Sequence, residues 1–153
     1  MLAIPTRYSL TSGRGEGGTR LTAFDAALLD AGLGDVNLVK VSSIIPPAAV
    51  YADLPEMAPG SLVPVAYGYI VSDAPGEIIS AGVAAGVTSD SFGVIMEYSG
   101  RCHREETERT LEGMVKESLA RRGLRLKSLV IRSVQHEVLR CGCAFAAVAL
   151  WSG

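Results

Sequence analysis

The sequence predicts a single α+β domain, residues 1–153, in which two helices cover layered β-structure. Two segments carry apolar residues at helical spacing, while about seven others have the composition of strands. The three strands predicted between residues 62 and 98 follow one another without crossover helices, so a doubly wound parallel sheet is excluded. Hydrophobic residues make up 48% of the chain and charged residues 20%, which is sufficient for one well-packed core.

The first half of the chain contains two strands and one helix. Its first three segments are a strand over 4–11, a glycine-rich loop over 12–18 and a helix over 21–31. Gly32 follows the helix as a stop signal. A strand over 36–42 comes next, and the prolines between 46 and 59 predict an irregular surface connection.

The second half contains five strands and the more sharply defined helix. The strands are predicted over 62–72, 78–87, 92–98, 126–138 and 142–151. The helix, over 103–122, has acidic residues in its first turn and basic residues in its last, which complements the helix dipole. We expect this helix to cover a sheet and the last two strands to pair with each other.

Composition excludes several classes of function. The net charge is −2 and no basic stripe is visible, which argues against nucleic acid as a partner. No apolar run reaches the roughly 18 residues of a membrane helix, and no signal peptide begins the chain, so a cytoplasmic protein without a membrane partner is expected. Cys102, Cys141 and Cys143 are expected to be reduced thiols. No second ligand pair accompanies Cys141 and Cys143, so no metal site is predicted.

Residues 13–18 match the pattern G-x-G-x-x-G, with a strand before them and a helix after them. This pattern is the dinucleotide-binding fingerprint. The acidic residue of that motif should end the second strand, yet Asp35 precedes its strand. A mobile glycine-rich loop is therefore favoured over a nucleotide site.

The junction at Ser42 and Ser43 is the most unusual local feature of the sequence. An apolar strand ends there in two hydroxyls, followed by Pro46 and Pro47. A serine hydroxyl can attack the preceding carbonyl and turn the Ser42–Ser43 amide into an ester. β-Elimination then breaks the chain and leaves a pyruvoyl group at residue 43. On these two residues alone, ordinary turn serines are the more frequent alternative.

The surrounding residues favour self-cleavage, because residues 37–47 (NLVKVSSIIPP) resemble the cleavage segment of pyruvoyl-dependent arginine decarboxylases. Four further segments resemble the same family in the same order: 22–29 (TAFDAALL), 63–73 (VPVAYGYIVSD), 93–98 (GVIMEY) and 141–147 (CGCAFAA). The resemblance spans nearly the whole chain. It implies an αββα sandwich that assembles as a trimer with active sites between protomers.

The resemblance also implies an activity. The enzyme would be a carboxy-lyase that converts L-arginine to agmatine and CO2, in polyamine biosynthesis, through a Schiff base on the pyruvoyl group derived from Ser43. This covalent group would be the cofactor, with no metal and no pyridoxal phosphate. Self-cleavage would give a β chain, residues 1–42, and an α chain, residues 43–153.

Three further residues are candidates for the site. Glu97 follows an apolar run, where partial desolvation would raise its pKa and suit it to donate a proton. The resemblance aligns Glu97 with the family's catalytic acid. It also aligns Asn37 with the residue that orients the cleavage carbonyl and the pyruvoyl group, and Asp25 with the carboxylate that binds the substrate guanidinium. Lys40 receives no catalytic role.

Two alternatives remain at this stage. A pyruvoyl enzyme of the same mechanism could decarboxylate lysine, ornithine or histidine, because Asp25 alone does not fix the substrate. A trimeric binding or scaffold protein could keep the fold and never cleave itself. The joint presence of Ser43, Glu97 and Asn37 argues against that second alternative.

Overall fold

The computed structural model describes residues 2–153, which form an α+β fold with two sheets and two helices. In chain order the elements are β1 (Arg7–Glu16), α1 (Arg20–Asp30), β2 (Asn37–Lys40), β3 (Ile44–Ile45), β4 (Val50–Tyr51), β5 (Leu62–Ser72), β6 (Ile78–Val87), β7 (Gly93–Gly100), α2 (Arg104–Arg121), β8 (Ser128–Glu137) and β9 (Gly142–Trp151). The predicted α+β class is confirmed.

The strands form a five-stranded sheet with the order β2-β5-β9-β1-β4 and a four-stranded sheet with the order β3-β7-β6-β8. The long strands of both sheets pair antiparallel. Only the short edge strands β2 and β4 pair parallel with their neighbours. Strand β2 therefore lies at an edge of the first sheet and β3 at an edge of the second, and only a few residues separate them along the chain.

Three apolar clusters fill the spaces between these elements. One lies between the sheets and includes Leu10, Val83 and Ile95. A second lies between α1 and the first sheet around Phe145, and a third lies between α2 and the second sheet around Leu111. This arrangement is consistent with a sandwich in which one helix covers each sheet.

Strand β9 explains why the end of the chain is rich in small residues. Ala144, Ala146 and Val148 face the space between the sheets, while Phe145 and Ala147 alternate with them and face α1. A strand buried on both faces reads as a continuous apolar run. The strand therefore occupies the centre of the first sheet.

The prediction that β8 and β9 pair with each other is wrong. Strand β9 pairs with β1 and β5 in the first sheet, whereas β8 pairs with β6 at the edge of the second. The two strands differ in burial, because β8 is only partly buried and β9 is buried along almost its whole length. A doubly buried strand needs a central position, and the connection between β8 and β9 consequently crosses from one sheet to the other.

The prediction of a mobile glycine-rich loop over 12–18 is also wrong, because β1 continues to Glu16. Gly13, Gly15 and Gly17 lie along the side of the segment that contacts α1, and a Cβ atom on any of them would collide with the backbone of that helix. At Gly13 the collision would be with the carbonyl of Ala27. The glycines let helix and strand approach closely, and the antiparallel pairing of β1 with β9 is not that of a dinucleotide-binding unit.

Glu16, at the end of β1, anchors the connection between β8 and β9. Its carboxylate accepts hydrogen bonds from the backbone N–H groups of Leu139, Arg140 and Cys141, and pairs with Nε2 of His136. Burial by itself would raise the pKa of Glu16, but the bonds from His136 and the three N–H groups outweigh it and lower that pKa to about 2. The ionised carboxylate therefore ties the first sheet to the second.

Glu16→Gln is expected to reduce the free energy of unfolding at neutral pH by about 1–3 kcal/mol, because the backbone donors lose a charged acceptor. Since folding depresses this pKa, the contribution of the charge is complete above about 4.5 and is lost as the pH falls towards about 2. Thermal unfolding between pH 2 and 7 should thus show the variant and wild type converging in acid. Glu137→Gln, at the exposed end of β8 next to His136, is the control. A difference in thermal stability between the variant and wild type that stays constant down to pH 2 would contradict this interpretation.

Candidate active site

The Ser42–Ser43 peptide bond lies where the chain passes from the first sheet to the second. On one side, the N–H of Val41 donates to the carbonyl of Val65 at 3.1 Å, beyond the end of β2. On the other side, the carbonyl of Ser43 accepts a hydrogen bond of 2.8 Å from the N–H of Ile95 in β7. The backbone is therefore fixed within two residues of the bond on both sides, by two different sheets.

A cavity of about 280 Å³ opens beside this bond. It is lined by Ser42, Ser43, Ile95, Met96, Glu97 and Met114. Three of the residues predicted from the sequence, Ser42, Ser43 and Glu97, thus come together in one place. Ser42 is exposed and Ser43 is half-buried, so the bond between them is accessible from the cavity.

Strand β7 positions Glu97 by the two-residue alternation of its side chains. Ile95 packs between the sheets, whereas Met96 and Tyr98 pack against the cluster under α2. Glu97 shares the face of Ile95 and lies against Gly68 of β5, where a Cβ atom would be 3.2 Å from the Cβ of Glu97. The absence of a side chain at position 68 makes room for the carboxyl between the sheets.

Burial raises the pKa of Glu97, as the sequence analysis expects, and the positive charge of Lys40 partly opposes this shift. The Glu97 side chain keeps about a third of its surface exposed on the open side. A raised pKa is the direction that general-acid catalysis requires of a carboxyl. The chemistry available at the cavity is proton donation next to the Ser43 backbone.

Lys40 is a residue of the site that sequence reasoning missed. Its Nζ lies 3.9 Å from Oε1 of Glu97, donates to the carbonyl of Tyr67 at 3.0 Å and sits 4.1 Å from the centroid of the Tyr67 ring. The contact depends on the register of β2 against β5 and on the packing of β5 against β7. No local pattern in the sequence signals it.

The other two predicted residues, Asn37 and Asp25, do not line the cavity. The side-chain amide of Asn37 donates to the carbonyl of Gly60 at the beginning of β2, the end remote from Ser43. Asp25 is exposed on α1, which covers the opposite face of the first sheet. Within one chain, the structure does not bring either residue to Ser43.

Residues 2–153 contain no group of three His, Cys, Asp or Glu side chains arranged to hold a metal ion. Cys102, Cys141 and Cys143 are free, and burial with the neighbouring Cys141 raises the pKa of Cys143 to about 12. Over the same range, no helix has both the length and the apolar character that a membrane crossing requires.

A serine pair held between two sheets, beside a carboxyl of raised pKa, is what the pyruvoyl-dependent class of enzymes is expected to have. A profile of the pyruvoyl-dependent arginine decarboxylase family matches residues 7–152. The chain belongs to this family.

Curated relatives named pyruvoyl-dependent arginine decarboxylase match nearly the whole chain. The protein of Methanocaldococcus jannaschii is 49% identical over 150 residues, covering 97% of this chain and 91% of the relative. That of Methanococcus aeolicus is 46% identical, covering 96% and 90%. That of Pyrococcus furiosus is 42% identical, covering 96% of each chain.

Proposed function

We propose that this chain is a self-processing, pyruvoyl-dependent carboxy-lyase that converts L-arginine to agmatine and CO2. The observation that carries the proposal is the shared cavity of Ser43 and Glu97 in a member of this family. Ser43 is where the reactive group would form, and Glu97, whose pKa is raised by burial, lines the same cavity and would donate the proton.

Processing begins with attack of the Ser43 hydroxyl on the carbonyl carbon of Ser42. The amide C–N bond breaks as the ester forms, and the amine of residue 43 takes up a proton. Elimination removes the α-proton of residue 43, breaks its Cβ–O bond and releases the Ser42 carboxylate. Tautomerisation and addition of water then expel ammonia and leave the pyruvoyl group. The hydrogen bonds of the Val41 N–H and the Ser43 carbonyl would hold the backbone on both sides of the Ser42–Ser43 bond during these steps.

The two products, residues 1–42 and 43–153, should stay together after cleavage. Strand β1 of the shorter fragment lies between β9 and β4 of the longer one, and β2 pairs with β5. Helix α1 packs on the same sheet through the buried cluster around Phe145. Separating the fragments therefore requires unfolding the domain.

The cavity fits a small carbonyl group at residue 43, because that residue lines it and is half-buried. When present, the pyruvoyl group supplies an electron sink for the electrons left by departing CO2. The hydrogen bond from Ile95 to the carbonyl of residue 43 fixes the orientation of that residue. Glu97, whose pKa is raised by burial, would supply the proton to the substrate carbon from which CO2 departs.

Recognition of the arginine side chain is assigned to Asp25, and orientation of the reacting carbonyl to Asn37. Both side chains are exposed and lie away from their own chain's cavity. We therefore propose a trimer in which a neighbouring protomer supplies Asp25 and Asn37 to the cavity of Ser43. A carboxylate matches the planar fork of the substrate guanidinium.

Asp25→Asn is expected to raise KM for arginine by about 10- to 100-fold with a smaller change in kcat, because a hydrogen bond to a charged group is lost. Steady-state kinetics of the cleaved protein provides the measurement. Asp53→Asn, also at an exposed position, should keep the wild-type KM. An unchanged KM in Asp25→Asn would assign recognition of the guanidinium to another residue.

The substrate itself is tested by supplying arginine, lysine, ornithine and histidine separately and measuring the product amine and CO2. Agmatine from arginine, with little product from the other three, is the expected result. Preferred turnover of another amino acid would leave the processing proposal intact and replace the substrate.

We also assign the protein to the cytoplasm and to polyamine biosynthesis, the former because its three cysteines are free.

A further inference from the structure

Lys40 is held at the edge of the candidate active site by three contacts. Its ammonium donates to the Tyr67 carbonyl, lies over the face of the Tyr67 ring and approaches Oε1 of Glu97 to 3.9 Å. Backbone pairing fixes its position further, because Lys40 is in register with Val65 of β5. These contacts restrict a side chain that is otherwise among the most flexible in proteins.

Apart from Lys40, the residues around Glu97 carry no charge, and the polar ones that line its cavity are Ser42 and Ser43. Strand β6 presents Val83 beside it, β5 presents Gly68 beneath it, and α2 contributes Met114 to the same cavity. The ring of Tyr67 lies against the Lys40 ammonium. Arg132 of β8 is in register with Val83, on the same face of the second sheet and one strand beyond it. Within residues 2–153, Lys40 is the charged group that acts on Glu97.

An acid that donates a proton must also exist as the carboxylate that remains. In a half-buried site with apolar neighbours, that carboxylate is costly unless a positive charge lies close to it. A pKa far above the operating pH also slows proton transfer, since a catalytic acid works best when its pKa is near that pH. The contact with Lys40 opposes the effect of burial at this carboxyl.

We propose that Lys40 is a positioning residue that orients the Glu97 carboxyl and stabilises the carboxylate left by proton donation. The inference rests on the proposed function for its catalytic meaning, but the coupling of the two side chains can be measured without turnover. Lys40 belongs to the fragment 1–42 and Glu97 to the fragment 43–153. The ion pair would therefore join the two products of processing across the cavity.

Lys40→Met and Lys40→Arg test this proposal against wild type. Lys127→Met, at an exposed position remote from the cavity, controls for the loss of one positive charge. The pH dependence of kcat is measured on fully cleaved protein and normalised to each variant's maximum. Removal of the charge should favour protonated Glu97, so the alkaline loss of activity in Lys40→Met should move to higher pH. On that limb its normalised turnover should exceed that of Lys40→Arg by about 3- to 10-fold.

A second readout does not require activity. Protein labelled with ¹³C at the glutamate carboxyl carbons is titrated by NMR, and Glu97 is assigned by comparison with Glu97→Gln. The midpoint for Glu97 should rise in Lys40→Met and stay near the wild-type value in Lys40→Arg and Lys127→Met. An unchanged midpoint in Lys40→Met would refute the proposal.

Two other outcomes are informative. A raised KM for arginine in Lys40→Met, with the alkaline limb unmoved, would overturn the proposal and indicate that Lys40 binds the substrate carboxylate. If cleaved wild-type protein forms no agmatine, the proposed function fails. The Glu97 titration then still decides whether Lys40 and Glu97 are coupled.

Discussion

Ser43→Ala is expected to leave a single uncut chain of 16.0 kDa with no decarboxylase activity. Alanine lacks the hydroxyl that would attack the Ser42 carbonyl, so neither the ester nor the pyruvoyl group can form. The fold should persist, because Ser43 contributes a backbone carbonyl to Ile95 and its side chain forms no hydrogen bond with residues 2–153. Denatured intact mass and an agmatine assay measure the two effects.

Ser42→Ala is the matched variant for this experiment. It removes the neighbouring hydroxyl but keeps the carbonyl that is attacked, and should therefore still yield two fragments. Cleavage of Ser43→Ala at the same bond would contradict the proposed mechanism of processing. If cleavage is lost only in Ser42→Ala, the attacking hydroxyl belongs to Ser42 and the proposal names the wrong serine.

Glu97→Gln is expected to lower kcat by about 10²- to 10⁴-fold, the usual effect of removing a general acid. Glutamine fills the same space against Gly68 but carries no acidic proton. Turnover must be expressed per cleaved chain, so intact mass is measured on the same sample. Glu56→Gln, at an exposed position, should behave as wild type. Activity of Glu97→Gln near the wild-type value would remove Glu97 from this role.

Most of the fold could be predicted from local patterns. The strands 62–72, 78–87 and 142–151 have the observed bounds, and each helix lies within one residue of its prediction at both ends. These are long segments of consistent periodicity, which is the strongest signal in a sequence. The two-residue strands β3 and β4 were missed because elements this short leave no pattern.

The glycine-rich segment illustrates a limit of local reasoning. Glycine is depleted in strands, so residues 12–18 favoured a loop. The reason for glycine at Gly13 and Gly15 is the close approach of α1, a tertiary contact that composition does not report. The prediction that β8 pairs with β9 is wrong for a related reason. Which strands flank β9 depends on the burial of both of its faces.

The same limit applies to the site, of which only part could be predicted from the sequence. The family resemblance and the apolar run before Glu97 predict Ser43 and Glu97 as site residues, and both line one cavity. The partner of Glu97 could not be predicted, because Lys40 reaches it only through the packing of three strands from two sheets. Asp25 and Asn37 stay predictions that depend on a neighbouring protomer.

The proposed function is tested most directly by the denatured intact mass of the purified protein, with and without arginine and borohydride. We expect two fragments that divide between Ser42 and Ser43, with the larger fragment gaining covalently attached substrate or product only when both reagents are present. A single uncut 16.0 kDa chain that gains no mass would contradict the proposal and indicate a relative that keeps the fold without the chemistry.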